Sequence, residues 1–243
     1  MSFQAGPRKP TVANVHPAAA RPTSNAWIYW ILANALGHIS GISAFGILSL
    51  FVTWGGSGDV GSVLDLAIPF ALLGLFDGLF VGLAQGLVLQ YFTGRALLGE
   101  WVLFTALGGI AAWVLGPIVG GLAIVIIDIL FYVVAGGVAG LLLGYSQRPS
   151  VQRHIDPQAA WIIPNIVAGA LAVTVAIFFS SLWGGAGGLG GGVESVLISF
   201  GVGGLIYGAV TARTVARILD YHAAQASLGS SEPTEDLTKL PVR

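Results

Sequence analysis

Residues 64–92 read LDLAIPFALLGLFDGLFVGLAQGLVLQYF, and only Asp65 and Asp77 carry charge in that run. About 20 consecutive apolar residues suffice for a helix to cross the hydrocarbon core of a bilayer. This stretch is long enough, and its glycines fall inside the apolar run rather than at its ends. In water such glycines would weaken a helix, whereas in lipid they let helix backbones approach closely. The stretch therefore predicts a membrane-spanning helix with a glycine face and one acid near its middle.

Working outward, the same pattern recurs along the chain. It predicts six spans, at about 26–54, 64–92, 101–117, 119–145, 160–183 and 194–218. Gly116 and Pro117 are expected to end the third, making a tight hairpin with the fourth. The fold class is thus all-α, a polytopic membrane helix bundle. Residues 1–25 and 219–243 are polar and are expected to be cytoplasmic tails flanking a transmembrane domain at 26–218.

Composition agrees. The 243 residues are 55% hydrophobic and only 9% charged, with 36 glycines and a net charge of -1. The mean hydropathy is +0.85. A soluble domain carries about 25% charged residues, so this chain lacks the polar groups to cover a surface in water. No basic excess points to nucleic acid. The absence of cysteine excludes disulfides, thiolate metal sites and cysteine nucleophiles.

All ten lysines and arginines fall on one side of the six spans. Arg8, Lys9 and Arg21 precede the first span and Arg95 separates the second from the third. Arg148 and Arg153 separate the fourth from the fifth, and Arg213, Arg217, Lys239 and Arg243 follow the sixth. The positive-inside rule then puts both termini in the cytoplasm, of a bacterial plasma membrane or one derived from it. Trp27, Trp101 and Trp161 open the odd helices, and Trp54 and Trp183 close two of them, as an interfacial belt would require. Trp113 stands outside that belt.

The six spans read as three copies of one hairpin, all in the same direction. Each even helix carries small residues every four positions: Gly78, Gly82 and Gly86; Gly136, Gly140 and Gly144; Gly204, Gly208 and Ala212. The first helix has Ala33, Gly37 and Gly41. Residues four apart share a helix face, so each set makes a stripe for close helix packing, within the bundle or against a partner subunit.

Two passages, GLFVGLAQ at 78–85 and WVLFTALG at 101–108, resemble a group of bacterial Gly/Trp-repeat membrane proteins in which a Gly-Leu-Ala-Gln-Trp segment alternates with Trp-Val-Leu-x-x-Ala-Leu-Gly. The resemblance spans about 27–175. Here Gly86 replaces the second tryptophan, and Gln90 stands where an arginine is common. The resemblance implies a repeat architecture in the membrane and no particular activity.

Polar residues inside the spans are the functional candidates, because each is costly in hydrocarbon. Asp77 falls near the middle of the second span and Asp128 near the middle of the fourth. His38 lies at the depth of Asp77, with Asn34 one turn below it; Asn165 and Gln85 lie at comparable inner depths. Together they suggest a polar site for a cation, a proton or a polar solute. His38 is the only histidine within a span, so it could also be the axial ligand of a pigment or haem, with small neighbours leaving room for a flat macrocycle. No second intramembrane histidine exists for a bis-histidine haem. No other cofactor or metal site is expected.

Asp59, Asp65, Glu100 and Glu194 fall at span ends, and His154 and Asp156 in an inner loop, where solvation is expected. The glycine-rich outer loop at 184–192 lacks the Gly-Lys-Ser/Thr of a phosphate loop. No HExxH and no serine–histidine–acid order occurs, so an enzyme is not expected. Three roles follow: an accessory subunit of a larger membrane assembly, a small-solute transporter or its substrate-binding subunit, or a pigment-binding protein. The second is similar in span number and orientation to the substrate-capturing components of energy-coupling-factor vitamin transporters, although those lack the threefold pattern.

Overall fold

The computed structural model describes residues 23–51, 63–123, 128–156, 159–184 and 193–230. These form six helices: α1 (Ala26–Ser49), α2 (Val63–Thr93), α3 (Leu98–Ala123), α4 (Asp128–His154), α5 (Ile162–Gly184) and α6 (Val193–Ser230). All six are long and apolar enough to cross a membrane. Their outward faces carry exposed leucines such as Leu36, Leu87 and Leu107, while Asn34, Asp77, Gln85 and Asn165 are buried. A polar interior under an apolar surface inverts the pattern of a water-soluble bundle and is what a lipid solvent favours.

Each helix packs on the next in sequence, and α6 returns to pack on α1, so the six close into a ring. The α2–α3 connection shows how one corner is turned. Gly94 adopts φ 66°, a left-handed conformation that glycine reaches without a Cβ clash. Its N–H bonds the Gln90 carbonyl at 2.9 Å and caps the end of α2.

The glycine stripes are used up inside this ring. A Cβ placed on Gly78 would stand 2.6 Å from the Thr105 carbonyl oxygen on α3. One on Gly204 would stand 2.8 Å from the Ala35 Cα on α1, and one on Gly208 2.8 Å from the Ile31 Cα. Gly140 meets the Asn165 backbone on α5 and Gly136 meets Gly169. On α1, a Cβ at Gly37 would fall 2.6 Å from the Val81 Cα, and one at Gly41 2.6 Å from the Asp77 Cα. Backbones at such distances gain dispersion contacts and weak Cα–H···O bonds that side chains would prevent.

At one end of the ring Trp30, Trp101 and Trp161 meet edge to face in a triangle. Their ring centroids are 6.3, 6.1 and 5.9 Å apart, with interplanar angles of 72°, 74° and 67°. Leu89, Val151 and Val215 join them in one apolar cluster with Phe92, Ile155, Ile218 and Leu219. Edge-to-face geometry sets the positive rim of one indole on the negative face of the next.

Several elements differ from the sequence-based expectation. α3 runs through Gly116 and Pro117 to Ala123, because a proline inside a packed membrane helix forfeits one hydrogen bond without forcing a stop. Residues 119–123 thus belong to α3, so the fourth helix starts later than expected and its middle lies further along the chain than Asp128. α4 also continues through Pro149 to His154, and α6 extends to Ser230, well past 218. The tryptophan of α1 that matches Trp101 and Trp161 is Trp30, since Trp27 is 47% exposed. Trp101 and Trp161 are buried in the bundle rather than placed in an interfacial belt. The Asp128 and Trp183 side chains, Trp54, Asp59, the 185–192 part of the glycine-rich loop, and tail residues 1–22 and 231–243 lie outside the described residues.

Candidate functional site

Two layers of polar side chains occupy the interior. The first sits against the tryptophan triangle. Trp101 Nε1 donates to Gln85 Oε1 (3.2 Å), Trp161 Nε1 to Gln147 Oε1 (3.2 Å) and Trp30 Nε1 to Thr211 Oγ1 (2.8 Å). Each odd helix thus hands its indole proton to an even helix. One turn further along each odd helix, a polar side chain bonds back to the tryptophan carbonyl: Asn34 to Trp30 (2.8 Å), Thr105 to Trp101 (2.7 Å) and Asn165 to Trp161 (2.6 Å).

The layer is cross-linked. Gln85 Nε2 donates to Asn34 Oδ1 at 2.7 Å. Gln147 Nε2 donates to Gln85 Oε1 at 3.1 Å and to Thr105 Oγ1 at 2.9 Å. The Tyr207 hydroxyl donates to Asn165 Oδ1. With no water in hydrocarbon to replace a lost partner, such a layer stabilises the ring only when its groups are matched. Gln85→Leu is expected to cost about 1–3 kcal/mol for each buried partner it strands, here Trp101, Asn34 and Gln147. The check is the thermal unfolding midpoint of the purified variant in detergent; an unchanged midpoint would show that the layer contributes nothing.

The second layer is a single cluster on the other side of the first. His38 lies eight residues beyond Trp30, about 12 Å along α1. His38 Nδ1 is 2.7 Å from Asp77 Oδ1, and Trp113 Nε1 donates to Asp77 Oδ2 at 3.1 Å. Tyr207 approaches the imidazole edge-on, with centroids 6.4 Å apart. Trp113 stacks with Phe70 at 6.5 Å and meets Phe200 at 5.6 Å. The His38 side chain keeps 18% of its surface exposed and Asp77 9%.

The same spacing from the other two tryptophans of the triangle leads to different residues. Eight residues beyond Trp101 and Trp161 stand Gly109 and Gly169, where α1 has His38. Gly109 meets Gly74, and Gly169 meets Gly136. Counting back eight from Gln147 and Thr211, as Asp77 precedes Gln85, gives Ala139 and Gly203. Small residues therefore suffice for packing at this level. A histidine and a carboxylate are not needed to close the ring there.

Of the candidates read from the sequence, the structure brings His38 and Asp77 together. Asn34, Gln85 and Asn165 belong to the tryptophan layer. The Asp128 side chain lies outside the described residues. The glycine stripes also shift. Gly74, Gly78 and Gly82 on α2 correspond to Gly136, Gly140 and Gly144 on α4, one turn from the expected alignment, and Gly86 meets the side chains of Leu98 and Trp101 instead. Space for a macrocycle beside His38 is not left by Gly37 and Gly41, which are filled by the α2 backbone.

Sequence reasoning missed Trp113, Thr105, Gln147, Tyr207 and Thr211. Gln147 was hidden because it falls past the expected end of the fourth span at 145, in what read as an inner loop. Its signal is the recurrence of Gly-x-x-Gln at 82–85 and 144–147. At the tryptophan end, Glu100 of α3 pairs with His154 Nε2 (2.8 Å) and Arg153 (3.3 Å) of α4, so His154 is tied to a neighbouring helix rather than simply solvated. Comparison with family models, with curated proteins and with solved structures finds no match for this chain.

Proposed function

We propose that this chain is an integral membrane protein that captures a small polar solute at the His38–Asp77–Trp113 cluster, as a transporter or as its substrate-binding subunit. The observation that carries the reading is the partly buried His38–Asp77 pair at a level where the corresponding positions hold glycine and alanine. Charged groups are costly in hydrocarbon, and packing here does not require them.

In this reading the six helices are three copies of one parallel hairpin, with both termini cytoplasmic. The recurring tryptophan bonds support the first part and the one-sided lysines and arginines the second. The tryptophan triangle then lies at the cytoplasmic end and closes it, so the solute reaches His38 and Asp77 from the opposite side. The glycine stripes, read as packing within the bundle or against a partner, meet neighbouring helices of the ring, which favours this reading over an accessory subunit.

The test is native mass spectrometry of the protein extracted from its own membrane in mild detergent. A small molecule retained at one copy per chain, and lost from a folded Asp77→Asn variant, is the expected result. Stoichiometric protein partners with no Asp77-dependent small molecule would overturn the proposal in favour of a structural subunit.

A further inference from the structure

We propose, resting on the solute-binding reading above, that the solute is a small organic ammonium cation and that it exchanges with a proton held by the His38–Asp77 pair. Three observations lead there. The first is the charge of the site. Asp77 is the one acid in the cluster, and its two oxygens already meet a nitrogen each, His38 Nδ1 at 2.7 Å and Trp113 Nε1 at 3.1 Å. A carboxylate in hydrocarbon needs a counter-charge, and the imidazolium of His38 supplies it while the site is empty of solute.

The second is what surrounds that charge. A hard metal cation takes about six oxygen ligands. Asp77 meets N–H donors instead, and aromatic rings back them: Phe70 and Phe200 pack on Trp113, and Tyr207 stands against His38. No group of three or more potential metal-ligating His, Cys, Asp or Glu occurs among the described residues. Aromatic rings beside a carboxylate suit an alkylated ammonium, which sheds its weak hydration readily and is attracted to ring faces.

The third is access. Both side chains of the pair retain exposed surface, 18% for His38 and 9% for Asp77, although the layer beneath them is sealed. At this level α1 and α6 bring His38 and Phe200 to positions that correspond to the Gly109–Gly74 and Gly169–Gly136 contacts elsewhere in the ring. This crossing is therefore held by side chains rather than by glycine backbone contact.

The exchange balances. With Nδ1 engaged by Asp77, the proton leaves from Nε2: the N–H bond breaks, its electron pair stays on the ring, and water at the open end accepts the proton. The ammonium takes over as counter-charge to Asp77, so the net charge of the site is the same before and after. Asp77 on α2 and Tyr207 on α6 are the titratable groups set against His38, while Arg213, Arg217 and Asp220 of α6 lie toward the tryptophan end. Because proton and cation compete for one site, acid weakens binding, by up to tenfold per pH unit for one proton exchanged.

The experiment titrates purified protein in detergent with tetramethylammonium. Tryptophan fluorescence reports binding, and calorimetry in buffers of different protonation enthalpy counts protons. One proton released per cation bound, with binding abolished in Asp77→Asn, is the expected result. His38→Gln should keep the cation and release no proton at pH 7. Phe200→Leu, a milder change, should weaken binding by about 3- to 30-fold. Saturable binding without proton release overturns the exchange, and an unchanged affinity in Phe200→Leu overturns the aromatic recognition. If tetramethylammonium does not bind while native extracts still show an Asp77-dependent small molecule, the ammonium assignment fails and the solute site stands. If no such molecule is found either, the underlying reading fails with it.

Discussion

Trp101→Ala is expected to remove about 3–5 kcal/mol of stability, a large fraction of what a folded domain has to lose. Trp101 is fully buried and makes edge-to-face contacts with both Trp30 and Trp161. Truncation opens a cavity at the centre of the ring, where six helices converge and none can collapse inward alone. It also takes the indole proton from Gln85, which still has Gln147 and Asn34 to satisfy. Trp27→Ala is the matched comparison, since Trp27 is half exposed. The unfolding temperatures of the two variants in one detergent decide the matter. Equal losses would mean that the triangle is incidental to stability.

A second large effect is expected at Gly78. A valine there would place its Cβ 2.6 Å from the Thr105 carbonyl oxygen and 2.7 Å from the Ala106 Cα, both backbone atoms of α3. Backbone cannot rotate away as a side chain can, so α2 and α3 must separate. Overpacking usually costs about 1–3 kcal/mol, and this rigid contact belongs at the upper end of that range or above it. Separation also shifts Asp77 relative to Trp113, so the cluster should loosen with the fold. Gly99→Val serves as the control: nothing stands within 4 Å of a Cβ at that position. Comparable recovery of monodisperse protein from both variants would show that the α2–α3 contact is more yielding than its distances imply.

Much of the architecture was legible because the membrane imposes a one-dimensional rule. Apolar length sets the helices, and the run at 64–92 announces α2 without knowledge of any other part of the chain. The boundaries were less legible where a helix-breaking residue sits in a packed environment. Pro117 suggested a stop, yet it lies inside α3, as Pro149 lies inside α4. Neighbouring helices stabilise a continuous helix more than one missing hydrogen bond destabilises it, and no local signal carries that balance.

The candidate site divides in the same way. His38 and Asp77 stand out as isolated polar residues in apolar runs, so their cost is visible in the sequence. Trp113 stands outside the tryptophan belt but does not announce a site, because a tryptophan in a membrane helix is compatible with packing, lipid or interface. Gln147 looked like part of a loop. Asp128 was read as mid-span because the third span was expected to end at Pro117, whereas α3 runs to Ala123.

The sequence by itself determined that this chain has six apolar helices, where its intramembrane charge lies and which helix faces are bare of side chains, because each of these follows from the order of residues along one helix. Only the tertiary structure decided that α6 closes on α1, that the bare faces are filled from within, that Trp30 rather than Trp27 completes the triangle, and that His38, Asp77 and Trp113 meet. Those pairings bring together residues from different helices, and the register between two helices is set by the fit of whole surfaces around the ring.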